Sequence, residues 1–422
     1  MKNIYASIIT IGDELLIGQV IDTNSAWIAQ QLNKIGIAVR NRVAIGDHAE
    51  EIKNTLDFEN KNGDVVLITG GLGPTNDDIT KKVMCEYFSA KMTVDKAALE
   101  NVKYLFEQVY HKAVSEVNLK QAEVPDVCEV IQNKRGSAPG MMFHKDGTIF
   151  ISMPGVPYEM MGIMEEVIPY LQKHFELPVI VHKTILTAGI GESALAEIIK
   201  DFEDKLPKEI KLAYLPNCGM VRLRLTTTGF DKTKTENALK NQFTELKKLV
   251  KDYMVADEDE SMQEVLGKIL AQNKKTISTA ESCTGGAIAS LITSVAGSSA
   301  YFEGSIVSYS YQIKESLLNV KKETLEKFGA VSEETVREML SGLLNKMKTD
   351  YGIAVSGIMG PAGGTPDKPV GTVWIAVGNK EKQSVRKFKQ RFARTKNIEV
   401  TTVMALNLMR TFLKEEGLIL SL

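Results

Sequence analysis

The residues best equipped for chemistry lie between Thr276 and Gly286, which reads Thr-Ile-Ser-Thr-Ala-Glu-Ser-Cys-Thr-Gly-Gly. A β-prone run ends in a carboxylate. Then come Ser282, Cys283 and Thr284, two glycines (Gly285, Gly286) and a helix-like apolar stretch. Strand, tight turn and helix N-terminus in succession expose a side-chain oxygen and aim backbone N–H groups at whatever lies in front. The structural alternative is a glycine turn whose serine or threonine caps a helix. The five histidines are His48, His111, His144, His174 and His182. A serine at 282 therefore has no histidine from its own region, which excludes a local Ser-His-Asp triad and a His-ligated zinc in the C-terminal half. A lysine can replace the histidine if burial lowers its pKa from about 10.4 toward neutrality. Lys314, set among Tyr309, Tyr311, Ile313 and Leu317 at the end of a strand-like run, is the candidate. A surface lysine lying along a helix is the alternative. N–H groups after Ser282 are placed to hold an oxyanion. The loop from Gly357 to Gly364, with Gly360 and Gly363, offers donors for a phosphate.

A second constellation lies near the start. Gly70-Gly71-Leu72-Gly73-Pro74-Thr75-Asn76-Asp77-Asp78 follows a buried-type strand. Its glycines let backbone approach a bulky anion and donate N–H groups to it. Asp77 and Asp78 beside such a loop suit a divalent cation held between carboxylates and phosphate oxygens, with Glu14 and Glu159 as further ligands. The plainer reading makes Asp77 a helix cap and the glycines a turn.

The elements that must position these groups alternate. Ile4–Ile11, Ile37–Ile45 and Asp64–Thr69 read as strands separated by helical spacings, with Thr23 or Asn24 as a cap. Such alternation predicts a doubly wound parallel sheet whose ligands sit beyond the C-terminal strand ends. Gly12-Asp13-Glu14, the Gly70 loop and Met153–Glu159 all fall there. From Val179 the order is β-α-β-β-α, with a hairpin around Pro216-Asn217-Cys218-Gly219. After the acidic linker 256–260, a capping box at Ser261/Glu264 opens a second α/β domain. At 422 residues, 44% hydrophobic and 25% charged, the chain suits two or three soluble globular domains. A net charge of −2 gives no basic surplus for nucleic acid. No apolar run spans a bilayer, and four scattered cysteines form no CxxC pair. A reduced, cytoplasmic protein without a signal segment is the expectation.

The motifs resemble one family in order along essentially the whole chain. Gly-Asp-Glu-Leu-Leu-x-Gly, Gly-Gly-Leu-Gly-Pro-Thr-x-Asp-Asp and Met-Pro-Gly-Val-Pro-x-Glu-Met look like the N-terminal domain of the CinA family, which is similar to MogA/MoaB molybdopterin-binding proteins. Ala-Glu-Ser-Cys-Thr-Gly-Gly, Ala-Gly-Ser-Ser at 296–299, Tyr-Ser-x-x-x-Lys, Gly-Ala-Val-Ser at 329–332, Ser-Gly-Ile-x-Gly-Pro-x-Gly-Gly and Lys-Pro-Val-Gly-Thr-Val-Trp resemble its C-terminal domain. The resemblance implies a MogA/MoaB-like domain over 1–175, a KH-type domain over 178–255 serving as spacer or dimerisation element, and a deamidase domain over 260–418. It implies two hydrolases in pyridine-nucleotide salvage. The first half would split ADP-ribose into AMP and ribose 5-phosphate with a divalent cation. The second would deamidate nicotinamide mononucleotide (NMN) without a cofactor. It places nucleophile and base at Ser282 and Lys314, with Tyr309 nearby, and a catalytic or metal role at Asp78. Substrate contacts are expected at Thr284, Gly285, Gly286, Gly357, Gly360, Gly363 and Gly364, and in the first half at Gly70, Gly71, Gly73 and Thr75. Metal contacts fall on Asp77, Asp78 and Glu14. A homodimer without membrane or nucleic-acid partners is implied. Met359 departs from the family's usual alanine, with a possible effect on pocket volume, and Tyr311 from its frequent asparagine. Two alternatives stand beside this reading: a first half that only binds a pterin or nucleotide within a regulatory protein, and attack by Cys283 in place of Ser282.

Overall fold

A computed structural model describes residues 3–75 and 78–418. Two compact units divide them. One comprises residues up to Val181 with Thr227–Ala238, and the other His182–Thr226 with the described residues from Leu239 on.

The first unit holds strands β1 (Tyr5–Ile11), β2 (Ala38–Ile45), β3 (Val65–Thr69), β4 (Met92–Val94), β5 (Glu123–Pro125), β6 (Glu129–Ile131), β7 (Gly140–Lys145) and β8 (Thr148–Met153). Six form one sheet in the order β2-β1-β3-β8-β7-β6, while β4 and β5 pair separately. β1, β2, β3 and β8 run parallel, and β7 and β6 add an antiparallel edge. The period of two along each strand divides its side chains between two cores. Ala6, Ile8, Val65 and Leu67 pack with Ile28 and Leu32 of the helix Thr23–Lys34 and with Met160, Ile163 and Met164 of the helix Pro157–His174. Ile9, Ile11, Val66 and Ile68 pack with Ile52, Leu56, Val83 and Met84 on the opposite face. Burial on both faces explains why these strands read as continuous apolar runs. Thr23–Lys34 is capped by Asp22, whose carboxylate accepts the Ser25 N–H at 2.9 Å, one or two residues earlier than expected from the sequence.

The middle region carries β9 (Val179–Ala188), β10 (Ile210–Asn217), β11 (Met220–Gly229) and β12 (Met254–Ala256) in the order β10-β11-β9-β12. Its helices are Glu192–Asp204 and Lys232–Leu249. The expected β10–β11 hairpin turns at Cys218 and Gly219, both with positive φ.

The last sheet, β14-β13-β15-β16-β17, contains β13 (Ile277–Glu281), β14 (Phe302–Val307), β15 (Tyr351–Gly357), β16 (Thr372–Gly378) and β17 (Gln383–Lys389). β13 is parallel to β14 and β15 and lies between them, so the C-terminal ends of all three open on the same edge. Ile277, Ile353, Val355 and Ile375 face the helices Met262–Gln272 and Arg394–Glu415, whereas Ala280, Ala354 and Ala376 face Glu333–Met347. The small residues on that second face let the helix approach closely. At Ser261 the capping box forms, with the backbone N–H donating to Glu264 Oε2 at 2.7 Å. No helix among the described residues is long and apolar enough to cross a membrane.

Candidate active sites

Ser282 follows β13 directly and is 8% exposed. Its N–H donates to Val355 O at 3.0 Å, which fixes the turn to the end of β15. Glu281 is fully buried and organises the turn. Oε2 accepts the Thr284 hydroxyl at 2.7 Å and the N–H groups of Gly286 and Ile288 at 3.0 Å, and Oε1 accepts the Ala289 N–H at 2.8 Å. A carboxylate at the N-terminus of the helix Ala287–Thr293 thus takes the donors that a helix start leaves open. Gly286 takes φ +100, a conformation side chains avoid. Thr284 and Gly286, expected as substrate contacts, direct these donors at Glu281. Gly285 N–H is taken by Ser282 O at 3.2 Å.

Glu281 gives a stability prediction. Glu281→Ala orphans three backbone donors and costs roughly 3 kcal/mol, since each buried unsatisfied group costs about 1–3 kcal/mol and water enters part of the gap. Urea unfolding measures it, and an unchanged midpoint would refute this role.

Lys314 lies in the second turn of the helix Tyr311–Leu318, not at a strand end, because β14 stops at Val307 and Ser310 caps a helix there. It is fully buried, not a surface lysine. Nζ donates to Ser282 Oγ at 2.9 Å, Ser308 O at 2.6 Å and Tyr309 O at 3.3 Å. Burial lowers its pKa to about 8, while negative charge on Cys283 would act in the opposite sense. The two carbonyls also favour the ammonium, so burial prevails against them. Cys283 is 6% exposed, and burial pushes its thiol up to about 12.

Tyr309 reaches Lys314 only through its backbone carbonyl. The residue is 63% exposed, and its hydroxyl accepts from Arg394 Nη2 at 3.1 Å. Arg394, the first residue of its helix, also donates through Nη1 to Gly360 O at 2.9 Å. It therefore joins Tyr309 to the glycine loop, and no motif in the sequence pointed to it. Gly357 closes β15, and the loop 361–367 beyond Gly360, which contains Gly363 and Gly364, is exposed. Tyr311 accepts the Ala330 N–H at 3.3 Å, and Ala330 O accepts from Ser356 Oγ at 2.7 Å, so the Gly329–Ser332 motif borders the same edge. Met359 is 2% exposed and packs in the core that also holds Cys283.

In the first unit a cleft of about 390 Å³ lies beyond the ends of β1, β3 and β8. Gly12, Glu14, Gly70, Gly71, Gly73, Asp78 and Glu159 line it, bringing together all three loops singled out from the sequence. Gly70 must be glycine, because a Cβ there would stand 2.1 Å from Ile11 O. Asp78 accepts the Thr75 N–H at 2.9 Å and also the Thr75 hydroxyl, so Thr75 holds Asp78 in place. Asp77 lies outside the described residues. The following helix, Thr80–Tyr87, begins at Ile79 without a side-chain cap. Glu159 accepts from Asn133 Nδ2 at 2.7 Å, and burial raises its pKa against that hydrogen bond. Asp47, Gln121 and Ser137 also line the cleft and carried no sequence signal. Lys81, whose Nζ donates to Gln121 O at 3.0 Å, is lowered to about 8 by burial, with Glu123 and Asp78 acting against it. Among the described residues no three His, Cys, Asp or Glu side chains gather into a ready-made metal cage. Glu14 and Asp78, which both line the cleft, fit a hard cation of the magnesium type, which takes one or two carboxylates and fills its other positions with water and phosphate oxygens.

Comparison with known proteins gives three matches along the chain. The probable molybdopterin binding domain matches residues 7–173, the damage-inducible protein CinA KH domain 182–256 and the CinA C-terminal domain 259–413. A CinA-like protein of Flavobacterium psychrophilum is 48% identical over 406 residues, 96% of this chain and 97% of its own. One of Cytophaga hutchinsonii is 44% identical over 414 residues, 98% and 99% of the two chains. The crystal structure of the competence damage-inducible protein A from Klebsiella pneumoniae aligns at 32% identity and TM-score 0.36, covering 37% of this chain and 98% of that one.

Proposed function

We propose, for a chain that belongs to the CinA family, that its C-terminal domain deamidates NMN and its N-terminal domain hydrolyses ADP-ribose. The observation carrying the first activity is a serine hydroxyl 2.9 Å from a fully buried amine lowered to about 8. Neutral Lys314 takes the Ser282 proton as Oγ attacks the carboxamide carbon. The oxyanion lies against the Cys283 and Thr284 N–H groups. Lys314 returns its proton to the departing nitrogen, the C–N bond breaks, and ammonia leaves an ester on Ser282. Water, deprotonated by Lys314, then hydrolyses the ester to nicotinate mononucleotide. Arg394 and the Gly357–Gly364 loop form the rim where the ribose phosphate would lie.

For the second activity the glycine loop supplies backbone donors to the pyrophosphate, and Glu14 and Asp78 would hold the divalent cation. That cation, when bound, would neutralise charge on the phosphate oxygens. Glu159, with its carboxyl raised by burial, is suited to hold a proton for the leaving phosphate. The test is to incubate the protein with NMN, and separately with ADP-ribose and a series of divalent cations, and to measure ammonia and AMP. No ammonia from NMN refutes the deamidase reading. No cation-dependent AMP leaves the first half a binding module. Asp78→Asn should lower ADP-ribose turnover about 10²–10³-fold, the range for losing one charge-stabilising group, with ammonia release from NMN unchanged. Equal loss of both activities would indicate misfolding instead.

A further inference from the structure

One turn of helix is gripped from two sides. On one side Arg394 donates to Gly360 O and Tyr309 Oη, and the fully buried Asn397 donates through Nδ2 to Met359 O at 3.0 Å. On the other, the tip of the β10–β11 hairpin meets the same turn. Cys218 Sγ donates to Glu399 Oε1 at 3.1 Å, and Lys396 Nζ lies 2.9 Å from Glu399 Oε2 and 3.5 Å from Cys218 Sγ. The hairpin is anchored beside its turn, since Met220, the first residue of β11, is buried in the same core as Leu406 and Met409. A groove of about 520 Å³ runs between Asn217, Cys218 and Arg222 on the hairpin and Thr395, Ile398 and Thr402 on the helix. Beside the buried Met220, the Cys218–Glu399–Lys396 contact adds a polar link between the tip and the helix.

We infer that this hairpin tip is a positioning element of the Ser282–Lys314 site, bracing the first turn of the helix Arg394–Glu415 so that Arg394 keeps Tyr309 and the Gly360 loop together. The inference rests on the deamidase reading for its substrate and not for its geometry. It gives the middle region a task beyond spacing. The braced groups form the rim and meet the reacting pair only through the Tyr309 carbonyl, so loosening them weakens substrate binding more than chemistry.

Two measurements test it on the full-length protein. Cys218→Ala and Glu399→Ala should each raise KM for NMN about fivefold, the factor a single hydrogen bond carries, with kcat within twofold. Cys218→Ser, which keeps a donor, should restore KM. Hydrogen exchange of the Ile358–Gly364 amides should quicken in the two alanine variants and not in the serine variant. Unchanged exchange and KM in both overturn the inference, as does a fall in kcat and stability with no change in either. A wild-type protein that releases no ammonia defeats the deamidase reading, and the exchange rates still decide whether the hairpin braces the loop.

Discussion

Ser282→Ala is expected to lower the rate of ammonia release from NMN by about 10⁴-fold or more, the scale on which nucleophile removal acts in related serine chemistry, while Cys283→Ala stays within about threefold of wild type. The two residues are neighbours in a turn and similarly buried, so burial does not separate them. Partners do. Lys314 Nζ reaches Ser282 Oγ at 2.9 Å, and no hydrogen bond joins it to the thiol. The Cys283 side chain belongs to the core beside β15, where a Cβ on Gly357 would stand 3.2 Å from Sγ. Pushed up to about 12, its thiol is ionised to only about one part in 10⁵ at pH 7. A serine needs no prior ionisation, because proton transfer to Lys314 accompanies attack. Ammonia release surviving in Ser282→Ala and lost in Cys283→Ala would reverse the assignment.

What could be read from the sequence followed from how local its causes are. The two-sided burial of β1 and β3 shows as unbroken apolar runs, and the capping box at Ser261 is complete within four residues. The absence of later histidines narrowed the bases to lysine and made Lys314 a candidate, and the family resemblance paired it with Ser282. Even so, the helix beneath Lys314 was missed: Ser310 caps it, and Tyr-Ser-Tyr before it reads as strand. Glu281 was visible as a carboxylate but not as a cap, because it acts on donors up to eight residues ahead. Asp22 capped a helix assigned to Thr23 or Asn24 since all three residue types suit that position. Arg394 was out of reach. It meets Tyr309 from 85 residues away, and at the start of a polar stretch it looks like any surface arginine. Met359 shows the converse. A larger residue within a binding motif suggested a changed pocket, yet the backbone there turns its side chain into the core.

Lys314 should govern both activity and stability, with opposite signs. The base must be neutral, so kcat/KM for NMN should climb about tenfold per pH unit below 8 and level off above it. Lys314→Met should abolish that activity. The same substitution removes the cost of burying an ammonium. Moving the amine from 10.5 to about 8 corresponds to about 3 kcal/mol. Against this, Ser308 O and Tyr309 O each lose a donor, at about 1 kcal/mol apiece, so the variant should be more stable by about 1 kcal/mol at pH 7. Its pH dependence identifies the source. Below pH 8 folded and unfolded chains both hold the proton, and the wild type carries the full cost. Between about 8 and 10.5 only the unfolded chain holds it, so wild-type stability rises with pH by linkage. Other ionisations are common to both proteins and cancel in the difference. The gap between Lys314→Met and wild type should therefore be constant up to about pH 7.5, then close and change sign toward pH 10, as urea unfolding across that range would measure. A gap independent of pH would mean that Lys314 is not titrating near 8, and the levelling of kcat/KM would then need another group. Both observables depend on one buried amine, so a site that performs the chemistry must also destabilise the fold at neutral pH.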